Sequence, residues 1–158
     1  MKVEIKSFNT VDAFAHREVG DYPTYAPLAW QKIWHWADKA GLSGQVTGLY
    51  GYGLDNPSTI PPEACRYDAC LAISGDVKPS DGIRACTIPG GRYGVYRMKG
   101  PYQQMPEVFA RMVTQWLPKA SEDLDYSRPF LEIYQEMAPD TAPEDYITDL
   151  CIPLADPS

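Results

Sequence analysis

The chain has 158 residues, a formal charge of −7, and a composition that is 44% hydrophobic and 12% aromatic. That length suits one domain or two small fused modules with a substantial core, and the acidic balance argues against generic phosphate-backbone binding, which needs clustered Lys and Arg. No apolar run approaches the roughly 20 residues of a membrane helix, and the alternating start Met1-Lys2-Val3-Glu4-Ile5-Lys6 has no signal-peptide core, so a cytoplasmic protein with no membrane partner is expected.

In chain order, Val3 to Phe8 reads as a leading strand and Phe14 to Val19 as a second strand ending at Gly20. A helix is predicted from Pro27 to Lys39, because Ala26, Trp30, Ile33 and Ala37 recur at three- and four-residue steps. Pro27 fits an early helical position and Gly41 a C-terminal cap. Thr47 to Tyr52 and Tyr67 to Ser74 read as strands around a proline-rich loop from Asn56 to Pro62, and Ile83 to Ile88 as a bridging strand. Gly90-Gly91 turns into a strand from Tyr93 to Met98. Pro106 then opens a helix with a stripe of Phe109, Met112 or Val113, and Trp116, and Pro118 is expected to stop it. Phe130 to Tyr134 and Tyr146 to Pro153 read as the last strands, with a loop from Pro139 to Pro143 between them.

The order of elements repeats. Gly20-Asp21-Tyr22 matches Gly100-Pro101-Tyr102, and Trp36 matches Trp116. Tyr50-Gly51-Tyr52 aligns with Glu132-Ile133-Tyr134, and Asp68-Ala69-Cys70-Leu71 echoes Asp149-Leu150-Cys151-Ile152. Module one is drawn at about 1–78 and module two at about 79–158, each running strand, helix, strand, strand. The fold class is therefore α+β, with antiparallel sheets each backed by one helix. If the sheets join edge to edge, their uncovered faces form a trough.

Glu132 is the first candidate for chemistry. In an extended chain Leu131 and Ile133 share one face, while Phe130, Glu132 and Tyr134 share the other, setting one carboxylate between two aromatic rings. Aromatic faces contribute about 0.5–2 kcal/mol each to a bound cation, a carboxylate adds charge complementarity, and burial without a ligand would raise its pKa. Tyr50, Tyr52, Tyr93, Tyr96, Tyr102, Tyr146 and Trp34 are the other candidate wall residues. Alternation does not decide between Tyr93 and Tyr96. Arg92, Arg97 and Arg128 are expected to be surface charges, and Asp68 and Asp149 to make turn or edge hydrogen bonds. The four cysteines (Cys65, Cys70, Cys86, Cys151) and two histidines (His16, His35) have no metal-ligand spacing. No metal and no cofactor are expected, and the thiols read as small hydrophobes. No nucleophile elbow, zinc helix or dinucleotide loop is present.

Ile88-Pro89-Gly90-Gly91-Arg92-Tyr93-Gly94-Val95-Tyr96, Gly100-Pro101-Tyr102, Trp116-Leu117-Pro118, Arg128-Pro129-Phe130-Leu131-Glu132-Ile133-Tyr134 and Thr148-Asp149-Leu150-Cys151-Ile152-Pro153-Leu154 together resemble the GyrI-like small-molecule-binding family, with Cys65-Arg66-Tyr67-Asp68-Ala69 as the first-module counterpart. The resemblance implies tandem strand-helix-strand-strand (SHS2) modules with a ligand cleft between them. It also implies that the acid at Glu132 meets cationic or polar aromatic ligands. The chain starts at the ligand-domain strand with no room for a helix-turn-helix, which counts against direct binding of nucleic acid. Three functions follow as expectations: a stand-alone binder of bulky aromatic, often cationic compounds; a hydrolase of electrophilic cyclopropane-type genotoxins with Glu132 as general base; and, by resemblance only, an inhibitor with DNA gyrase as protein partner.

Overall fold

The structure, a computed structural model, describes residues 1–135 and 138–157. The last residue of the expected second module lies outside them. The protein is α+β, and its strands pair antiparallel throughout. Two compact units divide it: Val11–Ile88, and Met1–Thr10 together with Pro89–Ser158.

The first strand, β1 (Glu4–Phe8), belongs to the other unit; in the unit Val11–Ile88 the strands are β2 (Val11–Val19), β3 (Val46–Gly53), β4 (Arg66–Ile73) and β5 (Arg84–Ile88), in spatial order β3-β4-β2-β5. One helix, α1 (Tyr22–Lys39), packs on this sheet through Ala29, Ile33, Trp36 and Ala37 against Tyr67, Ala69 and Leu71. The helix begins a turn earlier than Pro27 suggests. Asp21 caps it, accepting from the Thr24 N–H at 3.1 Å, and Pro23 takes the first-turn position where no N–H is needed. The buried stripe is correspondingly shifted. Trp36 lies in the core beside Phe14 at 5.9 Å, whereas Trp30 is half-buried and donates its indole N–H to the Tyr67 hydroxyl at 3.0 Å.

In the other unit the strands are β1 (Glu4–Phe8), β6 (Gly91–Lys99), β7 (Leu131–Tyr134) and β8 (Ile147–Pro153), in order β1-β6-β8-β7. Its core gathers Met98, Met112, Leu150, Ile152 and Leu154, with Phe109, Trp116 and Phe130 against them. Pro118 does not stop the helix. α2 (Met105–Arg111) runs into a π turn (Met112–Trp116) and then α3 (Leu117–Ala120). The Leu117 N–H bonds the Met112 carbonyl, five residues back. This widened turn lies just before Pro118, where a regular helix would need an N–H that proline lacks and would press its ring on a carbonyl.

Strand register fixes how the two units correspond. Gly51 pairs with Ala69 and Glu132 with Leu150, so the counterpart of Glu132 is Gly51, one residue from the Tyr50 that residue matching suggests. Gly53 likewise corresponds to Tyr134, through Tyr67 and Thr148. Gly20 (φ 151°) and Gly100 (φ 141°) also correspond, each turning sharply out of its strand. Their N–H groups donate to the carbonyls of Cys65 at 2.8 Å and Tyr146 at 2.9 Å.

The charged residues are more structural than expected. Arg17 clasps Asp68 through two bonds of 2.8 and 3.1 Å, and Arg97 clasps Asp149 through two of 2.9 and 3.1 Å. Arg128 is no loose surface charge. It is half-buried, lies 4.7 Å over the Tyr93 ring, bonds Asp125 at 2.8 Å, and donates to the carbonyls of Gly90, Arg92 and Leu154. Arg92 bonds Glu122 at 2.7 Å. Among the described residues, no helix is long and apolar enough to cross a membrane.

Candidate ligand site

Glu132 and Tyr134 stand two residues apart on β7, and strand alternation turns both to one face. Their register partners on β8, Leu150 and Thr148, identify that face as the one packed on α2, since Leu150 belongs to the helix-side core. Both side chains are half-buried. The Tyr134 hydroxyl donates to Glu132 Oε1 at 2.5 Å, at the short end of the O–H···O range.

Aromatic rings extend the site from Tyr134. Tyr102 meets it edge-on, with centroids 5.3 Å apart and planes at 84°. Tyr146 stacks on Tyr102 at 4.8 Å and 20°. The chain delivers these rings from separate elements. Tyr102 opens a 3-10 turn (Tyr102–Gln104) just after Gly100, and Tyr146 immediately precedes β8. The bond from the Gly100 N–H to the Tyr146 carbonyl ties the two segments together. Burial pushes the Tyr102 phenol above its usual range, with Tyr146 adding to the shift. Phe130 continues the face and packs on Phe109 at 5.5 Å. Tyr96 shares it too, lying opposite Leu150 on β6. Thr148, opposite Tyr134, is fully buried, and its Oγ1 has no hydrogen-bond partner among the described residues.

Of the other sequence candidates, one lies on the opposite face of the same unit and three lie in the unit Val11–Ile88. Tyr93 is fully buried on the opposite face of β6, its hydroxyl donating to the Pro89 carbonyl at 2.7 Å beneath Arg128, which resolves the choice between Tyr93 and Tyr96 for this face. Tyr50, Tyr52 and Trp34 belong to the unit Val11–Ile88. Tyr50 and Tyr52 register with Cys70 and Asp68, on the face of β3 turned away from α1. Tyr52 is 8% exposed, and burial holds its phenol far above the usual range. Trp34 is half-buried against the α1 core. Tyr102, one of the candidate wall residues, is the ring that links Tyr134 to Tyr146. Its signal was its place in Gly100-Pro101-Tyr102, the counterpart of Gly20-Asp21-Tyr22. No group of three metal-ligating side chains converges among the described residues.

A family model described as the GyrI-like small molecule binding domain matches residues 1–155. Among characterised relatives, a probable transcriptional regulator, YgiV, of Escherichia coli is 30% identical over 122 residues, covering 76% of each chain. A DNA gyrase inhibitor of Edwardsiella piscicida is 28% identical over 158 residues, covering 98% of each. Among solved structures, the C-terminal domain of EcmrR superposes with a TM-score of 0.77 at 17% identity, over 98% of this chain and 97% of that one. SAV2435 bound to tetraphenylphosphonium superposes at 0.65 and 17%, over 98% and 94%. A hydrolase encoded by lin2189 of Listeria innocua superposes at 0.70 and 16%, over 98% and 92%. At these identities the solved structures establish the shared fold.

Proposed function

The chain belongs to the GyrI-like small-molecule-binding domain family, and from that membership we propose that it binds bulky aromatic cations against Glu132. The observation that carries the reading is the arrangement on one face of β7: a half-buried carboxylate held by the Tyr134 hydroxyl at 2.5 Å, with the rings of Tyr134, Tyr102 and Tyr146 running outward from it. A flat or propeller-shaped cation gains about 0.5–2 kcal/mol from each ring it faces. The carboxylate supplies the charge, offset in part by its desolvation. Stacking tolerates many ligand shapes, so broad selectivity is expected. The fold neighbour that carries tetraphenylphosphonium supports this ligand class. Phe130 and Tyr96 supply apolar wall on the same face.

Titration with tetraphenylphosphonium, followed by calorimetry and by quenching of Trp and Tyr fluorescence, tests the reading. Saturable binding is expected for the wild type. Glu132→Gln, which keeps the shape and removes the charge, is expected to weaken it about tenfold or more. Wild-type protein that does not bind, or a Glu132→Gln variant that binds equally well, overturns the reading.

The Tyr134–Glu132 bond also favours one second reading. A carboxylate fixed by a neighbouring phenol can act as general base toward a water bound with an electrophilic substrate, because base catalysis needs the base held within hydrogen-bond reach of that water. The hydrolase among the fold neighbours is consistent with this. Turnover of a cyclopropane-bearing alkylating compound by the wild type and its loss in Glu132→Gln would establish hydrolysis. Identical decay with and without the protein removes it.

A further inference from the structure

Thr148 breaks a rule that buried polar groups otherwise keep. Its side chain is fully shielded, and among the described residues its Oγ1 has no hydrogen-bond partner. Native proteins pair nearly all such groups, because a buried hydroxyl left unpaired bears the cost of losing water and gains nothing in return. Register places this hydroxyl on the Glu132 face. Thr148 lies opposite Tyr134 on β7 and opposite Met98 on β6, and alternation along β8 puts Leu150 on the same side. Tyr146, two residues earlier, enters β8 in an extended conformation and falls to that side too. Tyr102 joins the two rings that flank Thr148, edge-on to Tyr134 at 5.3 Å and stacked on Tyr146 at 4.8 Å. The hydroxyl therefore rises from the strand floor at the root of the aromatic cluster.

The matching position in the unit Val11–Ile88 has an internal partner. Tyr67 stands opposite Gly53 as Thr148 stands opposite Tyr134, and its hydroxyl accepts the Trp30 indole N–H at 3.0 Å. Counted from Tyr102 as Trp30 is counted from Tyr22, the corresponding helix residue is Ala110, whose side chain has no hydrogen-bonding group. A Tyr–Trp pair in one unit is thus a threonine and an alanine in the other, and the hydroxyl that remains is unused by the described protein. Valine, of nearly the same shape, would carry no such cost. A donor also complements its neighbours. An ionised Glu132 only accepts, and the single proton of the Tyr134 hydroxyl is already given to Glu132 Oε1.

We propose that Thr148 is a specificity-determining residue whose hydroxyl donates to an oxygen of the ligand, so that the compounds taken are aromatic cations carrying an ether or carbonyl oxygen beside the ring system. This rests on the reading of the same face as a site for aromatic cations. The oxygen reaches Thr148 when the Tyr102 ring lifts from the edge of Tyr134, a contact between two rings delivered by separate segments. A cation without an acceptor leaves the hydroxyl unpaired and forgoes that bond, which is how a buried hydrogen-bonding group discriminates between otherwise similar ligands.

The test is calorimetric titration of the full chain with triphenylphosphonium cations in pairs matched for size, butyl against methoxyethyl and pentyl against methoxypropyl. The quantity read is the ratio of ether to alkyl affinity, in which effects common to both cations cancel. Thr148→Val is expected to lower that ratio about threefold to tenfold in at least one pair, and Thr148→Ser, which keeps the hydroxyl, to hold it near the wild-type value. Ratios that Thr148→Val leaves unmoved in both pairs, or that fall equally in Thr148→Ser, overturn the proposal. If Thr148→Val fails to fold by circular dichroism, Thr148→Ser is compared with Thr148→Ala, and equal ratios for those two overturn it. A wild-type protein that binds none of these cations overturns the aromatic-cation reading itself, whereas binding of all of them with unmoved ratios overturns only the role of Thr148.

Discussion

The two units use one plan and spend it differently. Each has a glycine that turns out of a strand, a tyrosine two residues later, a tryptophan on the helix and an Arg–Asp clasp between neighbouring strands. They diverge at the strand positions facing the helix. In Val11–Ile88 these are Gly51 and Gly53, and the Tyr22 ring fills the space over Gly53, where even a Cβ would come within 2.7 Å of it. In the other unit the same positions are Glu132 and Tyr134, and Tyr102, the counterpart of Tyr22, meets Tyr134 edge-on. The Tyr22 hydroxyl is committed to the chain, donating to the carbonyl of Asp55 at 2.8 Å. Matching positions in the two units thus serve two ends. Glycine lets one unit close on its own tyrosine, and a carboxylate with a phenol gives the other a polar, aromatic face.

The Arg–Asp clasps offer the largest contrast. Asp68 is fully buried between Arg17 and Arg84, whereas the Arg97 of the matching pair is 62% exposed. Asp68→Ala is expected to cost about 3–5 kcal/mol, because it leaves cationic partners without their counter-charge, and Asp149→Ala about 0–1 kcal/mol. Urea unfolding of both variants checks this, and equal midpoint shifts would break the contrast. Next come the paired tyrosines. Tyr22→Phe is expected to lose about 1–2 kcal/mol of stability with its hydrogen bonds and to leave tetraphenylphosphonium binding unchanged. Tyr102→Ala is expected to weaken that binding severalfold through the lost ring contact. Stability and calorimetry on the two variants separate these roles.

A smaller effect concerns Thr148, the counterpart of Tyr67. The Tyr67 hydroxyl accepts the Trp30 indole N–H, while Thr148 Oγ1 has no partner among the described residues. Thr148→Val is expected to be neutral or to stabilise by about 1 kcal/mol, because a buried unsatisfied hydroxyl is removed, and thermal unfolding measures it. The smallest effect is at low pH. Ser127 and then Arg128 hold the Asp125 carboxyl down at about 2. A carboxyl depressed on folding contributes stability that is complete above its unfolded pKa of about 4 and is lost as pH falls toward 2. Asp125→Asn is expected to flatten the acid limb of the stability curve in that window. Acid titration of the folded fraction, compared with the wild type, tests it.

Much of the fold was legible in the residues. Alternation marked the strands, and three- and four-residue spacing marked both helices. The errors cluster where local rules compete. Pro27 looked like a helix start, but Asp21 offered the capping carboxylate and Pro23 the first-turn proline, so the helix began there. Pro118 looked like a stop, but the π turn removed the conflict. At the site, Glu132 and Tyr134 were legible because alternation alone puts them on one face. Tyr102 was harder to rank, since its role comes from rings delivered by three separate segments.

By itself the sequence determined the α+β class, the order of elements and the placing of Glu132 with Phe130 and Tyr134 on one strand face, because these follow from local periodicity and residue type. Only the tertiary structure decided that Gly51, not Tyr50, is the counterpart of Glu132, and that Arg128 is a half-buried clamp. Each of these depends on register and on which strand lies beside which. A shift of one residue turns a side chain to the opposite face of a sheet, and no pattern within a single strand records which register its neighbours will choose.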